Sequence, residues 1–499
     1  MAETRKSWKL FWKRFLLFLS ALLIILITIL LINTFRFESK QISVKPVAKI
    51  EIPDVAIEHL AGAVRIQTVS YEDKTKFNPN PFLDFICYLD SIYPQVKTNL
   101  EKEVVNNYSL LYTWKGSNTA LDPIVLLGHI DVVPVEAEAL SDWTEGPYSG
   151  KVTEKFIWGR GTLDDKVAII GLLEAVEQLL STGFTPERTI YFAFGHDEEI
   201  GGREGAALIA EVLKSKGVKP AFVLDEGMAV TKNIIPGMDK PVALIGTAEK
   251  GFSSLELSLE MEGGHSSMPK EETTIEVLAE AVIRLRENPF PTRITKPVEG
   301  FLDYIGPEMP FFKKMVFANR WLFEGVIVGI YEGSNSGNAL VRTTIAPTIF
   351  NSGFKENVMP TKATATINFR ILPGETIKSV KKHVRKTIDD NRIHLKESSF
   401  SSNPSPISST KTYGFKTIHK TIEQLFPESI VAPTLVLGGT DSRHYSGICK
   451  NIYRFLPIVV TKNDMKRIHG IDERIAINDF KNVIRFYHQL LKNVNKKKQ

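Results

Sequence analysis

Two hydrophobic periods alternate along most of this chain, and a third pattern precedes them. Phe15 to Ile32 reads FLLFLSALLIILITILLI, eighteen residues without a charge, which is about the length a helix needs to cross a bilayer with little tilt. After it, AIEHLAGAVRIQ and PFLDFICYLDSIY place apolar residues at helical spacing, while SLLYTWKG and DPIVLLGHIDVVPV read as strands. The alternation then becomes strict, with helix KVAIIGLLEAVEQLLSTG, strand TIYFAFGHDEE, helix EGAALIAEVLKSKG and strand AFVLDEG. That order predicts an α/β fold, a mostly parallel sheet with helices on both faces. From about residue 249, half-polar alternation takes over in FSSLELSLEM, RTTIAPTIFNSG, KATATINFRIL and HLKESS, interleaved with helices TTIEVLAEAVIRL and ETIKSVKKHVRKTI. This is the pattern of a small α+β sandwich inserted into the first domain. Near residue 404 the first pattern resumes with helix YGFKTIHKTIEQLF, strands IVAPTLVLGG and IYRFLPIVV, and a last helix INDFKNVIRFYHQLLKNV. The expected segments are therefore a tail 1–14, a span 15–34, a polar stalk 35–48, one domain built from 49–248 and 404–499, and an insert 249–403. The stretch 289–337, rich in Pro, Phe and Trp, takes no role from its pattern, and there are no internal repeats.

Charge changes this picture in two ways. The net charge is +5, but residues 1–14 carry +4 and residues 481–499 carry +6, so the body between them is acidic at −5. An acidic body excludes nucleic acid as the main partner, because phosphate binding needs a basic footprint. The Lys496–Lys498 run reads as a solvated tail. Five bases precede the apolar span (Arg5, Lys6, Lys9, Lys13, Arg14) and far fewer follow closely. The positive-inside rule then leaves the N-terminus cytoplasmic and the globular part outside, on a single-pass anchor. The span is longer than a signal-peptide core and no small-x-small cleavage site follows it, which favours an uncleaved anchor over a cleaved signal. With two cysteines, Cys87 and Cys449, at most one disulfide can form, and their spacing matches no metal knuckle.

Polar residues stand where apolar strands of the α/β domain run out, which is where open α/β sheets place ligands. Gly128-His129-Ile130-Asp131 puts a carboxylate two residues from a histidine, able to orient its ring toward a metal. The loop Trp158 to Lys166, WGRGTLDDK, lacks P-loop spacing, and its acid pair repels phosphate; a carboxylate held there can bridge two cations. In His196-Asp197-Glu198-Glu199, two adjacent glutamates follow an apolar strand. Burying both is costly without a cation or proton, so one is expected to bind metal and the other to hold and deprotonate a water. Asp225-Glu226 and Arg467-Ile468-His469-Gly470 complete the set. Histidines and carboxylates together suit zinc, with cobalt or manganese as substitutes. The separations 129 to 164 and 164 to 199 are both 35 residues, so only the tertiary fold can assemble such a site.

Taken in order, HIDVVP, GRGTLDDK, HDEEIGG, LDEG, GGHSSMP, ENVMP, GGTD and RIHG closely resemble the zinc amidohydrolase and peptidase family M20 of aminoacylase-1 and carboxypeptidase S, including its secreted N-acyl-amino-acid hydrolases. The resemblance runs from about residue 50 to 495. It implies a di-zinc catalytic domain interrupted by a dimerisation or lid domain, two Zn2+ per chain, and a homodimer through the insert. It also implies roles: His129 on one zinc, Asp164 bridging, Glu199 and His469 on the other, and either Asp225 or Glu226, with Glu226 preferred, completing the first. Glu198 becomes the general base and Asp131 the residue that orients His129. His265 resembles a histidine that polarises the substrate carbonyl, often across a dimer. Asn357, Arg370, Gly439, Thr440 and Arg443 resemble substrate-binding positions, with Arg370 the partner of a free carboxylate. The implied reaction is cleavage of an amide bond next to that carboxylate, in a small molecule or short peptide, by a water held between the metals. A dipeptidase or deacetylase specificity is the alternative within enzymes. A non-catalytic membrane receptor on the same fold is the alternative outside them, and it sits poorly with a complete ligand set.

Overall fold

The computed structural model describes residues 2–495; Lys496, Lys497 and Lys498 of the basic tail lie outside the described residues. At its centre is a ten-stranded sheet. The order across it is Glu101–Val105, Ser109–Trp114, Ile190–Gly195, Ile124–His129, Phe222–Asp225, Ile452–Arg454, Val242–Glu249, Val230–Thr231 and Val459–Val460, with Ile430–Val436 paired alongside Val242–Glu249. Alternate residues of the middle strands bury on opposite faces. Leu126, Phe192 and Leu224 meet the helices Lys166–Ser181 and Ile477–Asn493, while Val125, Leu127, Ala193 and Val223 meet the helix Ala206–Ser215. That two-sided burial explains why these strands read as continuous apolar runs.

The sheet is mixed rather than mostly parallel. Five strand pairings are parallel and four antiparallel. The parallel pairings of Ile124–His129 form the centre, one flank is antiparallel, and the other mixes antiparallel with parallel pairings. One flank begins with Glu101–Val105, which returns into Ser109–Trp114 through Asn106 and Asn107, both at positive φ (47° and 67°). Asparagine tolerates that region better than most residues. IYRFLPIVV does not form one strand. Ile452–Arg454 pairs with Phe222–Asp225, the chain bends through Leu456 and Pro457, and Val459–Val460 pairs with Val230–Thr231. Proline, without an N–H, cannot continue a ladder.

Residues 251–402 contribute a separate four-stranded antiparallel sheet in the order Thr344–Ser352, Lys362–Ile371, Gly251–Glu260, His394–Ser402. Its inner face, with Leu255, Leu257, Ala365, Ile367 and Phe369, packs on the helices Thr274–Glu287 and Ile377–Ile388. Both helices open with a capping box, at Thr273 and Thr376, which satisfies backbone N–H groups that a helix start leaves free. The stretch without a sequence role is helical. Lys296–Ile305, Phe311–Ala318, Arg320–Glu332 and Asn335–Val341 leave the small sandwich, and Ile305 and Met309 pack against Val242, Leu244, Ile430 and Ala432 of the main sheet.

The N-terminal helix runs from Ala2 to Arg36 and is long and apolar enough to cross a membrane. The stalk that follows is not loose. Ser39 Oγ donates to Glu308 at 2.5 Å, Lys40 pairs with Asp303 at 2.7 Å, Gln41 exchanges two hydrogen bonds with the backbone of Val431, and Val47 N–H donates to Gln424 O at 3.2 Å. Cys87 and Cys449 are both free.

Candidate active site

Ile124–His129 lies between Ile190–Gly195 and Phe222–Asp225 and runs parallel to both. Their carboxyl ends therefore open on one side. His129 ends the first strand, Glu198 and Glu199 follow the second by one turn, and Asp225 and Glu226 finish the third. The loop entering helix Lys166–Ser181 brings Asp164, and the loop after Val459–Val460 brings His469, held at a left-handed φ of 59°. Non-glycine residues in that region cluster at functional sites.

Asp164 sits between the two histidines. Its Oδ1 lies 2.9 Å from His129 Nε2 and its Oδ2 3.0 Å from His469 Nε2. Glu199 Oε2 is 3.3 Å from the same His469 nitrogen. The result is two groups sharing one carboxylate: His129, Asp164 and Glu226, and Asp164, Glu199 and His469, with the ligand atoms of each group within 4.8 Å of one another. Glu198 belongs to neither, and its Oε1 lies 3.4 Å from Arg443 Nη2. Asp225 is also outside both groups. Its carboxylate accepts from the backbone N–H groups of Glu226 at 3.0 Å and Ser442 at 2.8 Å.

The electrostatics of this cluster fit bound cations. Burial, reinforced by Asp164 and Asp165, pushes the Glu226 carboxyl well above its ordinary range, and burial raises Glu198 to about 8. Burial also raises Glu199, whose Oε1 is enclosed with no hydrogen-bond partner. Asp164 alone is held low: burial opposes its charge, but hydrogen bonds from His129 and His469 outweigh it. His469 is raised to about 10, first by its hydrogen bond to Asp164 and then by that to Glu199. Several acids crowded round two imidazoles are costly to ionise together unless positive charge joins them, and nitrogen and oxygen donors in threes, with one shared, suit divalent first-row metals.

The surrounding contacts fix these side chains. Asp131, fully buried, accepts from the backbone N–H groups of both Glu198 and Glu199 at 3.1 Å and from Ser70 Oγ at 2.5 Å. His129 Nδ1 lies 3.0 Å from the Asp131 main-chain oxygen and 3.4 Å from its carboxylate, so the main chain makes the closer contact. Asp197 turns away and accepts from Glu204 and Gly205 N–H at 2.8 Å. Sequence reasoning missed Glu473. Buried and ion-paired with Arg160, it accepts from the backbone N–H groups of Gly161 (2.9 Å), Leu163 (2.8 Å) and Asp164 (3.4 Å), and so shapes the loop that presents Asp164. It also missed Glu249, which receives the N–H and hydroxyl of Thr440 and pairs with the fully buried Arg454. Thr440 is thereby engaged with the protein itself, while Gly439 leaves room for Arg443, whose Nη1 would lie 2.9 Å from a Cβ there.

The residues expected from the insert divide. Arg370 lies on the strand Lys362–Ile371 with its guanidinium 4.9 Å from the ring centre of Phe252. Burial and then Arg443 lower its pKa, and burial and then Arg370 bring Lys250 down to about 7. Arg443 is thus the cation beside Glu198, Lys250 Nζ donates to the main-chain oxygens of Ala339 and Arg342 at 2.8 Å, and among the described residues no carboxylate pairs with Arg370. His265 and Asn357 stand together elsewhere. His265 pairs with Val358 across a two-stranded ladder, Ser266 N–H donates to Asn357 O at 3.2 Å, and both side chains are exposed. Nothing joins them to the acid and histidine cluster among the described residues.

The chain is 42% identical over 486 residues to "Probable carboxypeptidase S-like 2" of Dictyostelium discoideum, covering 95% of this chain and 93% of that one. It is 41% identical to an N-fatty-acyl-amino acid synthase/hydrolase of Xenopus tropicalis, covering 94% and 93%. The fold matches a crystal structure of an M20 family metallo-carboxypeptidase from Sulfolobus solfataricus with a TM-score of 0.62 and 18% identity, covering 89% of this chain and all of that one. The family model of peptidases M20/M25/M40 matches residues 125–493. This chain is accordingly a member of peptidase family M20/M25/M40, a family of metal-dependent hydrolases.

Proposed function

We propose that this enzyme cleaves an amide bond adjacent to a free carboxylate, as a carboxypeptidase or an N-acyl-amino-acid amidohydrolase, with two zinc ions at the shared-carboxylate site. The observation that carries the reading is the exclusion of Glu198 from both ligand groups while it stands beside them. His129, Asp164 and Glu226 would hold one ion, and Asp164, Glu199 and His469 the other. When bound, the ions polarise the scissile carbonyl and make a water a better nucleophile. Glu198 takes the proton from that water and returns it to the leaving amine. Asp131 holds the Glu198 backbone in place. Arg443, 3.4 Å from Glu198, limits where the carboxylate can move.

Arg370, with Arg443 as its neighbour, would be the counterpart for the substrate's carboxylate. A guanidinium can meet a carboxylate with two parallel hydrogen bonds, and Arg370, over the ring of Phe252 and with no acid partner among the described residues, would take that role. His265 and Asn357, exposed on the insert, would serve the partner's site in a homodimer formed through that domain. The apolar N-terminal helix would anchor the enzyme as a single pass, tail in the cytoplasm and catalytic body outside. The full chain, purified in detergent, tests the whole reading on a panel of N-acyl amino acids and dipeptides with free or amidated carboxyl ends. Chelator-sensitive hydrolysis of the free acids supports it. Activity unaffected by a chelator, or indifferent to amidation, removes it.

A further inference from the structure

Beside the outer end of the N-terminal helix lies an apolar surface that the catalytic reading does not use. Helix Arg320–Glu332 turns one side inward, where Ile327 is buried with Val298 and Leu302. Its other side is open and largely apolar, with Glu324 and Glu332 its exposed acids. Trp321, Gly325 and Gly329 form one row at spacing four, and Leu322, Val326 and Ile330 form the next; residues at that spacing share a helix face. Trp321 is 59% exposed, Val326 55% and Ile330 69%, and a Cβ added at Gly325 or Gly329 would meet nothing within 4 Å. Phe311 and Phe312 of the preceding helix are exposed as well.

What covers this face follows from where it is fastened. Asn319, fully buried between the two helices, accepts from Asn33 Nδ2 at 2.9 Å and donates to Leu30 O at 3.1 Å. Phe35 and Phe311 lie with ring centres 6.2 Å apart. The junction of the helix pair thus sits level with Leu30 to Phe35, at the end of the apolar run. At about 1.5 Å per residue that run is roughly 27 Å long, and the hydrocarbon layer is about 30 Å thick. A bilayer that covers Phe15 to Ile32 therefore reaches the level of Asn319. Trp321 sits next to Arg320, which pairs with Asp303 at 2.6 Å, and an aromatic ring beside a cation is the arrangement found at membrane interfaces.

We propose that the helices Phe311–Ala318 and Arg320–Glu332 form a membrane-seated platform, their open apolar face lying in the outer interface of the bilayer that the N-terminal helix crosses. This rests on the reading of that helix as an anchor. An amphipathic element of this kind binds in proportion to its buried apolar area, and here the anchor delivers it to the lipid already oriented.

The test uses the full chain with Cys87→Ser, leaving the buried Cys449, and an environment-sensitive fluorophore on single cysteines at Leu23, Val326, Ile330 or Lys355, reconstituted into phosphatidylcholine vesicles. Hydrolysis of a water-soluble substrate by each labelled chain checks the fold. Quenching by nitroxide-bearing lipid is expected to remove most of the emission at Leu23, Val326 and Ile330 and to leave Lys355 unchanged. Quenching at Leu23 with Val326 and Ile330 untouched overturns the platform while keeping the anchor, whether those labels are in water or shielded by a second copy. No quenching at Leu23 overturns the anchor and the platform with it.

Discussion

The acid and histidine cluster and the exposed surface of the insert supply chemistry in opposite ways. In the first, the acids and histidines leave strand ends or loops of one domain, and several are clamped from behind, as Asp131 clamps the backbone of Glu198 and Glu199 and Glu473 clamps residues 161–164. In the second, His265 and Asn357 stand in solvent on a short two-stranded ladder, and only Arg370, on a long strand, reaches the neighbourhood of the cluster. The difference teaches that the main domain holds its cluster without help from the insert, whose proposed part is to select what is presented to it.

The comparison breaks most sharply at Glu198. Glu198→Gln is expected to lower turnover by about 10²–10⁴ with the metal content of the purified enzyme unchanged. Metal analysis that finds a loss here, and none in Glu199→Gln, would reverse the two roles. Next is the clamp. Glu473→Gln weakens its acceptance from the 161–164 backbone and its pairing with Arg160, and the affinity for metal should fall by roughly 10–100-fold, measured by competition with a chromogenic chelator. Unaltered affinity would mean that the loop keeps Asp164 in place without it.

On the insert side, Arg370→Lys should lower kcat/KM for free-acid substrates by about 1.5–3 kcal/mol and leave amidated ones as poor as before. An unchanged ratio of acid to amide would pass the role of carboxylate partner to Arg443. The smallest effect belongs to a residue in neither region. Burial, and then Lys492, bring His488 on the last helix down to about 4 from 6.5. A depressed histidine contributes stability that is present above pH 6.5 and is lost as pH falls toward 4. Urea unfolding at pH 7.5 and 5 should therefore show the wild type losing more stability than His488→Gln, by about 1 kcal/mol; equal losses would place the acid sensitivity elsewhere.

How much of this could be read from the chain depended on range. Strands buried on both faces, such as Ile124–His129 and Ile190–Gly195, announce themselves as apolar runs, and the acids just beyond them stand out because nothing apolar explains them. The choice between Asp225 and Glu226 was beyond the pattern, since it turns on Ser442 N–H, more than two hundred residues away, donating to the Asp225 carboxylate while Glu226 faces the cluster. Glu473 was hidden for the same reason: an acid among polar loop residues looks solvated until the fold sets it under another loop. The antiparallel edge at Glu101–Val105 did carry a local signal, Asn106-Asn107 between two strand-like runs, and the half-polar character of EKEVV obscured it.

With the proposed anchor in a bilayer, the stitched stalk has a consequence for how the enzyme would meet its substrate. Fourteen residues left free would let the body range roughly 50 Å from the membrane. With Ser39, Lys40, Gln41 and Val47 bonded along the body, that leash has no slack. On a bilayer the active site would travel at one fixed height and one tilt, sweeping a plane instead of a volume. A substrate dissolved in the surrounding fluid would have to come to that plane, while one that already drifts along the lipid surface would be met at each lateral collision.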